Sequence, residues 1–240
     1  MSGYVRGLIA LGTCVTSLLG FAITSGAQQN PTIAIDIALE PDNMMIEHAQ
    51  TVNARLRSAF PKGFALDATH HPHISMLQRY VRTDDLDKVY AAVDSVLSSE
   101  NPAGWKLNAY KYYYIPWKDI GLAGIVVEPT SDLLNLQQKL IAAVAPFETK
   151  IGTAAAFVTT PDEPEINQPT IDYIATFVPK ATGKHFNPHV TVGIASQDYL
   201  KKMLAEPFDA FTFSPAGASV YQLGNFGTAR KMLKTWEFKP

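Results

Sequence analysis

The segment Pro72-His73-Ile74-Ser75-Met76-Leu77 has a counterpart in the second half of the chain, Pro188-His189-Val190-Thr191-Val192. Both read proline, histidine, aliphatic, hydroxyl, apolar. Successive side chains of a strand point to opposite faces, so each segment predicts a strand whose histidine and hydroxyl share one face, about 7 Å apart. The core is predicted to receive the apolar residues of both segments, namely Ile74, Met76, Val190, Val192 and Ile194. Two such strands can build one cleft between them.

Strands and helices alternate around the first segment. We predict strands over 33–39, 72–80, 106–115 and 122–128, with helices over 44–60, 84–98 and 132–144. Residues 159–169 contain three prolines and three acidic residues, which indicates an exposed loop bordering the cleft. Residues 170–179 have helical spacing, although their β-branched content leaves a strand as the alternative. After the second segment we predict a helix over 197–204 and strands over 211–213, 219–223 and 233–238.

Each half of the chain therefore carries one histidine segment ahead of a helix. This pattern predicts an α+β fold with two pseudo-twofold lobes, in which two antiparallel-rich sheets line a central cleft and the helices pack outside. Residues 28–240 would form this single bilobal domain. The alternative, two unrelated domains that share a tripeptide, leaves the paired segments unexplained.

The first 27 residues differ from the rest. Arg6 precedes an uncharged apolar run over residues 7–23, and Ser25-Gly26-Ala27 supplies the small residues that a signal peptidase reads. We expect residues 1–27 to be a signal peptide and the protein to be exported, periplasmic or secreted, with no stable membrane insertion after cleavage. An uncleaved anchor is the alternative, since the run is short for a bilayer span. The only cysteine, Cys14, would leave with the signal.

Charge and composition limit the partners. A hydrophobic fraction of 47% predicts a folded core, and 20 basic against 22 acidic residues give a net charge of −2. Proteins that bind long nucleic acid through many phosphates are usually strongly basic. We therefore expect a small substrate and no long nucleic acid. We also expect a monomeric protein.

At the two segments the sequence resembles the two-histidine phosphoesterase superfamily, the group that includes 2′-5′ RNA ligase and cyclic phosphodiesterase enzymes. The resemblance is specific at the motifs, and elsewhere it extends over residues 32–238 only as a pattern of elements. It implies that His73 and His189 carry catalysis, that Ser75 and Thr191 bind the substrate phosphate, and that no metal or other cofactor takes part. The substrate would be a small nucleotide or an RNA-end phosphodiester.

The chemistry of these residue types agrees with that implication. Hydrolysis of a 2′,3′-cyclic phosphate needs a base for the attacking water and an acid for the departing oxygen. Histidine titrates near neutral pH, so one neutral and one protonated imidazole can supply both roles. Two hydroxyls that donate to the phosphate would stabilise the charge that develops there. Sequence leaves open which histidine is the acid.

The same residues are compatible with several other functions. The same residues would serve a 2′-5′ RNA ligase or 2′-5′ phosphodiesterase, and a non-catalytic nucleotide-binding module could keep the fold. A metal site built on His70, His71 and His73 is less favoured, because adjacent residues of an extended chain point apart. His70 and His71 fit better in a loop over the cleft. Packing in the core is the favoured role for the aromatic residues of the predicted strands, and a solvated surface position is favoured for the cations near the motifs. The aromatic residues that could instead stack a base, and the cations that could instead attract phosphate, are Tyr80, Tyr112, Tyr113, Tyr114, Phe186, Arg79 and Lys184.

Overall fold

The structure is a computed structural model that describes Met1, residues 31–161 and residues 163–239. The predicted signal peptide lies outside the described residues apart from Met1. The strands are β1 Thr32–Pro41, β2 Ile74–Arg82, β3 Leu107–Trp117, β4 Ile120–Val127, β5 His189–Ser196, β6 Phe211–Phe213, β7 Pro215–Leu223 and β8 Ala229–Glu237. The helices of more than one turn are α1 Asn43–Ala59, α2 Leu86–Glu100, α3 Ser131–Val144, α4 Gln168–Ala181 and α5 Gln197–Leu204.

All eight strands form one antiparallel sheet in the order β6-β3-β4-β5-β2-β1-β7-β8. The predicted α+β class and antiparallel pairing are confirmed. The two expected sheets are the two halves of this sheet, and they meet where β2 and β5 pair at Ile74 and Val190 alone. A single paired position keeps the sheet continuous, while the strands diverge on either side of it and leave a cleft.

The pseudo-twofold relation of the halves extends to an irregularity in each. In the first half the register between β1 and β2 shifts after Ile37, so that Met76 is the extra residue. In the second half the register between β4 and β5 shifts after Ala123, so that Val192 is the extra residue. Met76 and Val192 occupy the same place in the two motifs. A bulge of this kind re-aims the side chains that follow it.

The bulge at Val192 explains why one prediction about the core is wrong. Ile74, Met76, Val190 and Val192 are buried as expected. Ile194, which simple alternation also assigns to the core, is only half-buried. The extra residue shifts the alternation by one position, so Ala195 is buried in its place.

The helices cross between the halves. α1 follows β1 in the chain but packs against β5 of the other half, and α3 follows β4 but packs against β2 and α2. The main core lies between these helices and the sheet, and includes Leu56, Ile125, Leu136 and Val190. Each half of the sheet is therefore covered in part by a helix that follows a strand of the other half.

Residues 168–181 are helical, so the strand alternative is wrong there. Asn167 begins α4 by accepting a hydrogen bond from the Thr170 backbone N–H. The helix differs from the expected arrangement, because it lies on the cleft side of the sheet and not outside it. Its Ile174 packs with Ala34 and Tyr80 in a second small core, which holds the helix against the first half. Within the two described ranges, no helix combines the length and apolar character that a bilayer crossing requires.

Candidate active site

The four motif side chains lie in one cleft. An antiparallel pair at Ile74 and Val190 sets the flanking residues crosswise, with Ser75 beside His189 and Thr191 beside His73. All four line a cavity of about 420 Å³ between the halves of the sheet. The predicted convergence of the two segments on one site is therefore confirmed, while their roles stay predictions.

His73 is held by its neighbours at both ring nitrogens. Its Nδ1 lies 2.6 Å from the carbonyl oxygen of His71, to which it donates. Its Nε2 lies 3.4 Å from the Oδ2 atom of Asp36. The side chain is largely buried, with 8% of the residue exposed. This ring is oriented by a carbonyl on one side and a carboxylate on the other.

Asp36 is the site residue that the sequence patterns missed. It lies on β1 opposite Gln78 of β2 and is fully buried. Its Oδ2 accepts hydrogen bonds from Ser75 Oγ at 2.5 Å and from Gln78 Nε2 at 2.8 Å. No described residue hydrogen-bonds its Oδ1. An acidic residue inside an apolar strand is the signal that could have identified it, because a buried carboxylate needs partners.

His189 has different neighbours. Its Nδ1 donates to the carbonyl oxygen of Asn187 at 2.7 Å. Its Nε2 lies 2.7 Å from the hydroxyl of Tyr113. Burial raises the pKa of Tyr113 well above its ordinary value, so the phenol stays protonated and its O–H donates a hydrogen bond to Nε2. His189 is therefore set in its neutral form, with the Nε2 lone pair occupied by a phenol.

The different surroundings of the two histidines shift their pKa values in opposite directions. Burial alone would lower the pKa of His73, but its interaction with the Asp36 carboxylate outweighs burial and raises that pKa above the ordinary value of 6.5. Burial, aided by the charge of nearby His73, lowers the pKa of His189 to about 4, although the Asn187 carbonyl and the charge of Asp36 act to raise it. At neutral pH His73 holds a proton more readily than His189.

The two hydroxyls also differ. Ser75 donates its hydrogen to Asp36, so binding a phosphate oxygen would require it to exchange that acceptor. Thr191 lies across the cleft in β5 and lines the same cavity. The pair is pseudo-symmetric in position and unlike in hydrogen bonding.

Aromatic residues form much of the cleft wall. Tyr113 and Phe186, two of the aromatic residues considered for base stacking, line it. Tyr80 is instead in the second core, where its hydroxyl donates to Ile171. Tyr112 packs against Phe208, away from the cleft. Alternation along β3 explains the difference, since Tyr113 faces the cleft and its two neighbours, Tyr112 and Tyr114, face the α5 side.

Trp117 and Phe226 were not singled out from the sequence, and they meet above the cleft. Trp117 ends β3 in one half, and Phe226 lies in the turn between β7 and β8 of the other half. Their ring centroids are 5.7 Å apart with the planes at 81°. Together with Tyr173 of α4 they give the cavity flat apolar walls.

Few charges reach this cavity. Among the described residues that line it, Lys180 is the only lysine, arginine or carboxylate, the other basic groups being histidines. Arg79 is buried and pairs with Glu148, with 3.5 Å between the Nη1 and Oε2 atoms. Lys184 does not line the cavity. One lysine suits a ligand with a single phosphate better than a polyanion.

His70 and His71 both line the cavity from the loop before β2, in agreement with the expected loop over the cleft. His70 stacks on Phe64 with a centroid distance of 4.2 Å. His71 lies against the ring of Tyr221 at 5.6 Å. Within residues 31–161 and 163–239, no three His, Cys, Asp or Glu side chains come together in a way that could hold a metal ion.

Comparisons with known proteins give structural matches only. No protein-family model and no curated protein matches the sequence. TT0787 of Thermus thermophilus matches with a TM-score of 0.49 and 15% identity, over 86% of this chain and 98% of that one. Escherichia coli LigT, solved with phosphate, matches with a TM-score of 0.35 and 11% identity, over 88% and 99% respectively. Similarities of this size carry no conclusion about activity.

Proposed function

We propose that this protein is a metal-independent phosphoesterase of the two-histidine type, which hydrolyses a 2′,3′-cyclic phosphate or a similar small phosphodiester. The observation that carries the proposal is the crosswise set of two imidazoles and two hydroxyls around the Ile74–Val190 pair. In-line displacement at phosphorus needs an acid and a base on opposite sides of the phosphate. A pseudo-twofold site supplies one imidazole from each side.

The proposed reaction is balanced by these groups alone. One histidine removes a proton from water as the water oxygen attacks phosphorus. The bond from phosphorus to one ribose oxygen breaks, and the other histidine gives that oxygen its proton. Ser75 and Thr191 donate to the non-bridging oxygens. Proton exchange with solvent then returns both imidazoles to their starting forms.

The shape and charge of the cleft support a small substrate. Its walls are mostly apolar and aromatic, and its one lysine, Lys180, lies at the end of α4. A nucleoside could stack on Tyr173, Trp117 or Phe226, each stacked base contributing about 1–3 kcal/mol. We also propose, from the N-terminal sequence alone, that the mature chain acts outside the cytoplasm.

The test is turnover of a panel of 2′,3′-cyclic nucleotides and 2′-5′ dinucleotides in excess chelator. We expect hydrolysis that survives the chelator and falls by about 100-fold or more in His73→Ala and in His189→Ala, the scale of a lost general acid or base. The control is His48→Ala, which removes a histidine stacked on Phe211 away from the cleft. Near-normal turnover in either cleft variant would contradict the proposal.

The panel also separates the alternatives. Cleavage of 2′-5′ dinucleotides, or their formation from cyclic ends, would favour the ligase or 2′-5′ phosphodiesterase activity that the same residues could support. Nucleotide binding without turnover by the unaltered protein would favour the non-catalytic module.

A further inference from the structure

The two halves of the site differ at a pair of strand positions beside the motifs. The matching bulges put the halves in register, so that Asp36 of β1 corresponds to Leu122 of β4, and Gln78 of β2 corresponds to Ile194 of β5. Asp36 pairs with Gln78 across the strands, and Leu122 pairs with Ile194. The half that contains His73 thus has a buried carboxylate and an amide where the half that contains His189 has two aliphatic side chains.

The carboxylate is placed to act on His73. Asp36 Oδ2 lies 3.4 Å from His73 Nε2, too long for a strong hydrogen bond but close enough for a strong charge interaction in a buried site. Asp36 is fully buried, and the described charged groups do not include a lysine or arginine paired with it. A buried carboxylate is stabilised when its neighbour is a cation.

We propose that Asp36 is a positioning residue that keeps His73 in its imidazolium form, which makes His73 the general acid and leaves His189 as the general base. Asp36 stabilises the imidazolium through its charge, and because the carboxylate at 3.4 Å makes no strong hydrogen bond to Nε2, the Nε2 proton can pass to the leaving oxygen. The inference depends on the proposed function for the use of that proton, but not for the protonation of His73 itself.

Other titratable groups face this pair from every packed element. They are Glu40 of β1, His189 of β5, Tyr221 of β7, His71 of the loop before β2, and Tyr173 of α4. Glu40 accepts a hydrogen bond from the Tyr221 hydroxyl at 2.5 Å, and its charge adds to that of Asp36 in favouring a cation at His73. The charge of His73 in turn lowers the pKa of His189. Of the charged groups around His73, Asp36 contacts the ring directly, with its Oδ2 atom 3.4 Å from Nε2.

In the proposed step, His189 accepts a proton from the attacking water at Nε2, after the Tyr113 hydroxyl has moved off that atom. The oxygen–phosphorus bond to the leaving ribose oxygen breaks as His73 gives its Nε2 proton to that oxygen. His189 ends as imidazolium and His73 as neutral imidazole beside Asp36. The negative charge of a bound phosphate makes His189 a stronger base than it is in the free protein.

The experiment follows the ring carbon–proton NMR signals of the histidines against pH in the free, full-length mature protein. The His73 signal is identified by its loss in His73→Asn. We expect His73 to titrate above pH 6.5 in the unaltered protein, and about one pH unit or more lower in Asp36→Asn, which removes the charge and keeps the shape. A second variant, Asp36→Leu with Gln78→Ile, copies the residues found in the other half of the site and should show the same fall.

The matched control is Asp67→Asn, which removes a carboxylate beside His70 in the same cleft loop. We expect it to leave the His73 titration in place. A His73 titration that stays within about 0.3 pH units in both Asp36 variants would overturn the inference, because a buried charge at this distance should move it further. So would an equal change in Asp67→Asn.

Kinetics provide the second readout. The fall in kcat/KM at high pH reports loss of the acid's proton, and we expect Asp36→Asn to move that fall to lower pH while the low-pH limb moves less. If Asp36→Asn is active and the high-pH fall in its kcat/KM does not move, the assignment of His73 as the acid is overturned and the proposed function stays intact. A shifted NMR titration in a protein inactive on the whole panel supports the Asp36–His73 pairing while the proposed function fails.

Discussion

The contact between Tyr113 and His189 depends on a residue with no side chain. Tyr113 of β3 lies opposite Gly124 of β4. A Cβ atom at Gly124 would lie 2.6 Å from Cε1 of the Tyr113 ring, so any other residue would push the ring away from the cleft. Gly124 therefore allows the phenol to reach His189 Nε2.

Tyr113→Phe tests what this phenol does. A hydrogen bond to Nε2 stabilises neutral His189, so its loss should raise the pKa of His189 from about 4. We expect the low-pH limb of kcat/KM to move to higher pH. At neutral pH, where His189 is neutral in both proteins, turnover should change by less than about tenfold, because a neutral hydrogen bond contributes about 1 kcal/mol.

Tyr112→Phe is the matched control, since this neighbouring ring packs against Phe208 away from the cleft. It should leave the limb unmoved. An unmoved limb in Tyr113→Phe as well would show that the phenol does not govern the protonation of His189.

Sequence predicted His73, Ser75, His189 and Thr191 as cleft residues because strand alternation is a local property. It did not predict Asp36, or the hydrogen bond from Tyr113 to His189. Both residues belong to strands next to the motif strands, and their contacts depend on which strands pair and in which register. Long-range pairing of that kind leaves no local pattern to read.

At the scale of single elements, the turn between β7 and β8 is held in a strained conformation. Phe226 has φ 58° and ψ 17°, a region that bulky residues rarely adopt. Its backbone N–H donates to Thr170 Oγ1 at 3.0 Å, and Asn225 Oδ1 accepts from the backbone N–H of Asn167 at 3.1 Å. The turn is thus fixed to the start of α4, with the Phe226 ring against Trp117. Strain maintained by such contacts is common at binding sites.

A pair of variants separates the strain from the ring. Phe226→Gly and Phe226→Ala both remove the ring, and both should raise KM for a nucleotide substrate by about fivefold or more if a base stacks there. Glycine adopts positive φ without penalty, so Phe226→Gly should unfold with a free energy about 1 kcal/mol higher than Phe226→Ala. KM comes from steady-state kinetics and the unfolding free energy from urea titration. Equal stability of the two variants would argue against strain at this turn.

Most elements were predicted close to their observed bounds. The helix over 197–204 and the strand over 211–213 agree residue for residue. Bounds were less well predicted where the observed element continues into a weak pattern, as in β7, which begins at Pro215 rather than 219. The prediction for the half-buried Ile194 was wrong because a bulge has no signature in alternation until the pairing is known.

For the whole molecule, the histidines predict a loss of stability in mild acid. Burial lowers the pKa of both His70 and His189 to about 4, against an ordinary value of 6.5. Between these values the unfolded chain binds more protons than the folded one, so the free energy of unfolding falls as pH decreases from 6.5 to 4. His73, with its pKa raised, acts in the opposite sense but is one group against two.

Thermal unfolding midpoints between about pH 7 and pH 4 measure this effect. We expect the midpoint to fall with pH in the unaltered protein, and to fall less steeply in His70→Gln. The control is His185→Gln, which removes an exposed histidine and is measured beside the other two proteins. Identical slopes in all three proteins would assign the acid sensitivity to groups other than His70.

The order in which the strands of the two halves follow one another along the chain determines how the protein unfolds. β1 and β2 begin the first half, β3 to β6 make the second, and β7 and β8 return to complete the first. Since α1 also covers β5 and α3 covers β2, no single cut of the chain separates one finished half from the other. A fragment ending before Pro215 would lack β7, which pairs with β1, and β8 beyond it, and would expose the edge of β1. The protein should therefore unfold in one cooperative step, and neither half should be obtainable as a folded fragment.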